Sequence, residues 1–179
     1  MDHADHVALL RGGGPEEPGT WADLGAGEGA FTLALAELLP AGSMIHAIDR
    51  DPRALAELGR RYVKRGFRHD LHTKQADFTR DLGIGHLDGI VMANSLHFVR
   101  DKTDVLARVR GMLKPGGRLL LVEYDTDSGN TWVPYPLSFE TWRALAPRNG
   151  FAEPRLVATH PSRFLRRIYS AVTTRETNT

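Results

Sequence analysis

The sequence predicts an α/β fold: a doubly wound, mainly parallel sheet with helices on both faces, finished by an antiparallel strand. Three observations predict it. Short aliphatic runs alternate with helical periodicity from Thr20 to Glu123, as parallel strands joined by crossover helices require. A glycine-rich turn, Gly25-Ala26-Gly27-Glu28-Gly29, joins the first run to the helix after it. The last two extended runs are separated only by a turn, which makes a hairpin and therefore an antiparallel edge.

Each element has its own signal. Thr20 to Leu24 is a short apolar strand, and Ala30 to Leu39 is apolar almost all round, a buried helix stopped by Pro40 and Gly42. Ser43 to Asp49 is the second strand. Asp51 is then an N-cap with Pro52 at the first helical position, and Leu55, Leu58, Tyr62 and Val63 line one face as far as Gly66. The third strand, His69 to Gln75, carries little apolar signal, whereas the fourth, Leu87 to Ala93, is clear. Asp101 to Leu113 is a helix with Val105, Leu106, Val109, Met112 and Leu113 inward, ended by Lys114-Pro115-Gly116-Gly117. Arg118 to Glu123 is a fifth strand of the kind buried on both faces. A polar loop, Asp125 to Leu137, follows, then a short helix from Phe139 to about Ala146 capped by Ser138. Arg155–Thr159 and Phe164–Val172 form the hairpin about a His160-Pro161-Ser162 turn.

Composition narrows the function classes. A chain of 179 residues with 41% hydrophobic and 25% charged residues is one globular domain, long enough to bury a core without staples. There is no cysteine, which excludes disulfides, thiolate metal sites and a cysteine nucleophile. The net charge of +1 gives no global field for nucleic acid, so none is expected as a partner. No apolar run reaches the roughly 18 residues of a membrane span, and acids stand where a signal peptide has Lys or Arg; a cytoplasmic protein is expected. Two histidine pairs, His3 with His6 and His69 with His72, lack a third ligand at suitable spacing, so no metal is expected. Residues 50–80 hold nine bases against four acids, but Arg60, Arg61, Lys64 and Arg65 interleave with apolar residues at helical spacing, as on a solvated helix face.

The chemistry begins at the glycine turn. Glycines there remove the Cβ atoms that would keep a ligand from the backbone, and Asp49, at the end of the next strand, can accept both hydroxyls of a ribose. This pair alone does not name the cofactor. Gly25, Gly27 and Ala30 also satisfy the looser dinucleotide pattern, so a nicotinamide cofactor stays open on the glycines.

A longer set of motifs resembles a family. Trp21 to Gly29 is similar to the glycine-rich first motif of class I methyltransferases that use S-adenosylmethionine. Ala47 to Pro52 resembles the acidic end of their second strand, and Gln75-Ala76-Asp77-Phe78 their adenine-reading segment. Leu87 to Phe98 resembles the fourth strand and its loop, and Leu113 to Leu119 the entry into strand five. The resemblance runs from Trp21 to about Val172. It implies a Rossmann-like seven-stranded sheet of order 3-2-1-4-5-7-6 with strand seven antiparallel. It also implies one domain over residues 1–179, with 1–19 as an N-terminal cap and 126–150 as a loop and short helix over the substrate side.

The resemblance assigns roles residue by residue. Gly25, Ala26 and Gly27 pass under the methionine and ribose, while Asp23 braces the loop. Asp49 holds the ribose and Arg50 covers one face of adenine. Asp77 accepts the adenine amine, the N–H of Phe78 donates to a ring nitrogen, and Asn94 binds the amino-acid end. His6 and Arg11 are candidates for the methionine carboxylate.

The acceptor is expected beyond the carboxyl ends of strands four and five. His97, in the loop after strand four, and Asp125, past the end of strand five, are the candidate catalytic residues. Asn94-Ser95-Leu96-His97 departs from the Asn-Pro-Pro-Tyr pattern of amino methylation on nucleobases or glutamine, so the resemblance implies a small-molecule methyl acceptor. With little chain for a substrate domain, a homo-oligomer that covers the pocket also stays open. The other readings are a non-catalytic S-adenosylmethionine-binding protein and a NAD-dependent oxidoreductase, the latter without a Tyr-x-x-x-Lys pair.

Overall fold

The computed structural model describes residues 1–14 and 16–177; Pro15 of the expected cap and residues 178–179 of the expected domain lie outside them. The elements in chain order are α1 (His3–Arg11), β1 (Thr20–Leu24), α2 (Ala30–Leu38), β2 (Met44–Asp49), α3 (Pro52–Arg65), β3 (Asp70–Gln75) and β4 (Leu87–Ala93). After a 3-10 turn at Leu96–Phe98 come α4 (Thr103–Met112), β5 (Leu113–Tyr124), α5 (Phe139–Arg148), β6 (Arg155–Ser162) and β7 (Arg166–Thr174). The sheet runs β3-β2-β1-β4-β5-β7-β6, and only the β5–β7 and β6–β7 pairs are antiparallel. The expected strand order and the antiparallel seventh strand are both present.

Helices cover both faces. Leu10 of α1, Leu33 and Leu35 of α2 and Leu58 of α3 pack on one side of the sheet with Ile45, Val91 and Leu120. Val105, Leu106 and Val109 of α4 and Trp142 and Ala146 of α5 pack on the other with Ile90, Met92 and Leu121. Burial of these apolar side chains, each worth roughly 1.5–3 kcal/mol, sets the layers. Local chemistry sets the ends: Asp2 and Asp5 make a capping box at α1, Asp51 caps α3 ahead of Pro52, and Gly66 closes α3 at φ 69°.

Three boundaries differ from the expected ones. Strand β5 starts at Leu113 rather than Arg118, because Leu87 pairs with Leu113 and Gly89 with Arg118, so Lys114 to Gly117 bulge out of a continuous strand. The hairpin turn is Arg163 to Leu165, not His160 to Ser162. Pro161 instead pairs opposite Arg167 in β6, the outermost strand, where its missing N–H faces away from the ladder. Helix α5 reaches Arg148 through Pro147. It forms part of the packed layer, with Trp142 fully buried, while the loop before it crosses the carboxyl end of the sheet.

Candidate functional site

The glycine turn is shaped by what lies on each side of it. The N–H groups of Gly25 and Ala26 donate to the Ile48 carbonyl at 2.8 and 3.0 Å, which joins the turn to the end of β2. The Asp49 carboxylate continues that join, accepting from Gly27 N at 2.8 Å and from Asp51 N at 2.9 Å. Gly25 has φ +85°, and a Cβ there would lie 2.6 Å from Ser95 Cβ. Gly27 has φ +52°, yet a Cβ there would meet nothing within 4 Å. One glycine makes room for Ser95, the other borders open space.

That room is a cavity of about 300 Å³ bordered by Asp23, Gly25, Ala26, Gly27, Arg61 and Asn94, with Met1 and His6 of the N-terminal segment above it. Asn94 sits at φ 52°, a left-handed conformation unusual outside glycine, and its Oδ1 is buried with no hydrogen-bond partner among the described residues. Asp23 is also buried and accepts from Thr32 Oγ1 at 2.6 Å. Burial raises its pKa to about 7; the Thr32 hydrogen bond opposes this and the nearby Asp49 charge adds to it.

The remaining cofactor candidates flank the cavity rather than line it. Arg50 Nη1 lies 3.7 Å from Asp77 Oδ2. The other oxygen, Asp77 Oδ1, accepts from Thr79 N and Oγ1 at 2.9 and 2.7 Å, and these bonds hold its carboxyl below the usual range. The Phe78 ring packs partly into the core beside Gly25. His6 faces the cavity and meets Phe31 edge-on at 4.8 Å between centroids, with its pKa lowered chiefly by burial. Arg11 is elsewhere, on a hollow at the opposite end of the sheet with Arg118 and Arg155. The two histidine pairs are separately engaged: His3 with Glu37, His69 with the Ala36 carbonyl, and His72 against His46.

On the acceptor side the pairing of β4 with β5 continues into the loop, since Asn94 N donates to Val122 O at 2.9 Å. Ser95 Oγ then donates to Leu24 O at 2.7 Å, and the 3-10 turn delivers His97 beneath the end of β5. Glu123 meets it there. One carboxylate oxygen accepts from His97 N at 3.0 Å and the other lies 2.9 Å from His97 Nδ1, with both side chains buried. A carboxylate accepts, so Nδ1 is the donor in this pair and Nε2 is the ring nitrogen left for another partner. Nε2 makes no hydrogen bond to the described residues and is not sealed from solvent.

Asp125 is differently placed. It accepts from Phe139 N and from Arg167 Nε, each at 2.9 Å, and pairs with Arg167 Nη2. Lys102 donates to the carbonyls of Val99 and Tyr135 at 2.9 Å each, and Tyr135 N donates to His97 O at 3.0 Å. Burial lowers the pKa of this lysine, against the raising effect of Glu123 and Asp101. The sequence reading assigned no part to Glu123, Lys102 or Arg61.

The conserved pattern of a family described as "Methyltransferase domain" matches residues 22–119, from β1 into β5. The chain belongs to this methyltransferase family. Among curated relatives, a ubiquinone/menaquinone biosynthesis C-methyltransferase of Azotobacter vinelandii is 32% identical over 65% of this chain and 48% of its own length. An arsenite methyltransferase of Aquipseudomonas alcaligenes is 28% identical over 78% of this chain and 46% of its own. The chain thus spans about half the length of those relatives. Among solved structures, the YcgJ protein of Bacillus subtilis superposes with a TM-score of 0.78 over 98% of this chain and all of that one, at 13% identity, a likeness of fold alone.

Proposed function

We propose that this methyltransferase binds S-adenosylmethionine in the cavity over Gly27 and methylates a small molecule at the carboxyl ends of β4 and β5, with His97 as general base. The observation that carries the cofactor is the cavity over Gly27, bordered by Asp23, Gly25, Ala26, Asn94 and His6 at the carboxyl ends of β1 and β4. The Asp23 carboxylate on that cavity suits the ammonium group of the methionine end. Asp49, Arg50, Asp77 and the N–H of Phe78 would hold the nucleoside along the ends of β2 and β3, and His6 would close the methionine end.

When bound, the cofactor supplies a methyl group activated by a sulfonium, whose sulfur keeps the bonding pair as the methyl leaves. The protein's part is to align the acceptor, exclude water and take a proton. His97 Nε2 accepts the proton that the acceptor atom gives up as its bond to the methyl carbon forms. Glu123 fixes the ring and stabilises the imidazolium that results. Asp125, bonded to Phe139 N and to Arg167, positions the loop and α5. The relatives that act on small molecules support the acceptor class.

The test is a pair of measurements. S-adenosylhomocysteine should raise the melting temperature and NAD should not, because only a ligand of the folded state stabilises it. Deuteromethyl-labelled cofactor incubated with a metabolite extract should then yield a labelled small molecule. Stabilisation by NAD alone would sink the reading; binding without any labelled product would leave a cofactor-binding protein that is not a transferase.

A further inference from the structure

A hollow beside the catalytic pair indicates the acceptor's chemistry, an inference that rests on the methyltransferase reading above. The hollow, about 580 Å³, lies between the end of β5 and the β6–β7 turn and is lined by Asp125, Ser128, Arg163, Phe164, Leu165 and Arg166. That volume is in the usual range for small-molecule sites. One packed ring, Tyr124, separates it from His97: Phe164 packs on Tyr124 at 5.9 Å between centroids, and Tyr124 on His97 at 6.1 Å.

Its charge is one-sided. The only carboxylate in the lining, Asp125, is already paired with Arg167, which does not line the hollow. Among the described residues neither Arg163 nor Arg166 makes an ion pair or a side-chain hydrogen bond. Arg166 also holds φ 62°, where glycine would be relaxed, so a long cationic side chain is kept at a backbone cost of about 1 kcal/mol. Phe164 leaves 49% of its surface in water at the rim. Two uncompensated guanidiniums beside an exposed ring match an anion attached to a flat apolar body.

We infer that the methyl acceptor is a small acid, with a carboxylate or phosphate held by Arg163 and Arg166 and a planar apolar portion on Phe164. The concavity of the hollow suits such a molecule better than a flat lipid surface.

The experiment is calorimetry on the full chain, with and without S-adenosylhomocysteine, titrating 2-naphthoate, 2-naphthyl phosphate and neutral 2-naphthamide. At least one anion should bind about tenfold or more tightly than the amide, as charge-assisted bonds to arginine give. Which anion binds tells carboxylate from phosphate. The Arg163→Ala/Arg166→Ala double variant should lose that preference and keep its affinity for S-adenosylhomocysteine, which also shows that it is folded. Equal binding of acid and amide, or a preference that survives in the variant, overturns the inference. So does sedimentation with phosphatidylglycerol vesicles, lost in the variant, when no naphthalene is preferred. Absence of S-adenosylhomocysteine binding would defeat the cofactor reading and leave the acid-against-amide comparison to stand or fall alone.

Discussion

Glu123 Oε2 and His97 Nδ1 stand 2.9 Å apart, on side chains 0% and 3% exposed, and the same carboxylate also receives the backbone N–H of His97. One acid therefore fixes both the position of the loop and the tautomer of the ring. Replacing it separates those roles from binding. Glu123→Gln should keep affinity for S-adenosylhomocysteine near the unmutated value while turnover falls, and His97→Ala should lower turnover by about 10²–10⁴. Both are read from initial rates with the labelled acceptor, beside calorimetry of the cofactor product. Unchanged turnover in His97→Ala would remove the base.

The two glycines of the turn should fail in different ways. Gly25→Ala brings a Cβ onto Ser95 and into an unfavourable φ, so the melting temperature should drop, with a loss of about 1–3 kcal/mol. Gly27→Ala meets no atom and pays only the left-handed backbone cost of about 1 kcal/mol. Its affinity for S-adenosylhomocysteine should nevertheless fall by about tenfold or more, since its Cβ enters the cavity. Denaturant melts and titrations of both variants check the contrast.

Asp23 predicts a proton linkage. Its folded pKa of about 7 lies above the unfolded value near 3.9, so the folded protein holds an extra proton between those values. Stability from this group is therefore full below about pH 4 and declines as pH rises through about 7. A cationic ligand in the cavity favours the carboxylate, so binding at pH 6.5 should release a proton. The calorimetric enthalpy should vary with the ionisation enthalpy of the buffer, and Asp23→Asn should remove most of that variation. Buffer-independent enthalpy in the unmutated protein would show that Asp23 does not feel the ligand.

Lys102 should couple stability to turnover. Lys102→Met leaves the Val99 and Tyr135 carbonyls without their donor, at a cost of about 1–3 kcal/mol, and frees the loop that Tyr135 N anchors to His97 O. The melting temperature and turnover should both fall, and hydrogen exchange should quicken at Tyr135 N. Exchange that stays as slow as in the unmutated protein would assign the lysine to packing alone.

Strands with aliphatic runs were legible because burial on both faces writes itself into consecutive residues. Strand β3, expected at His69 to Gln75 and found at Asp70–Gln75, carried little apolar signal because it is an edge whose side chains are mostly exposed. Lys114-Pro115-Gly116-Gly117 reads locally as a stop, and only its register with β4 reveals a bulge in one strand. Pro161 likewise reads locally as a turn, and only its register opposite Arg167 places it inside the edge strand β6. At the site, Gly25, Gly27 and Asp49 act through neighbours close in sequence or through one strand pair, so their pattern is visible. Glu123 and His97 are 26 residues apart on different elements, and nothing local marks a buried glutamate as the partner of a loop histidine. Arg61 lies in a basic stretch that reads as solvated helix, and the cavity alone picks it out.

Helix α1 touches the far end of the chain. Its Asp5 pairs with His160 at 3.2 Å, and the Gly12 carbonyl after it accepts from Arg155 at 2.7 Å. On the ribosome the helix emerges long before β6 exists, so it cannot dock fully until more than 140 residues have followed it. Helix α1, whose His6 borders the cavity over Gly27, thus precedes in synthesis the strand that holds it, and a chain cut before β6 should lose affinity for S-adenosylhomocysteine.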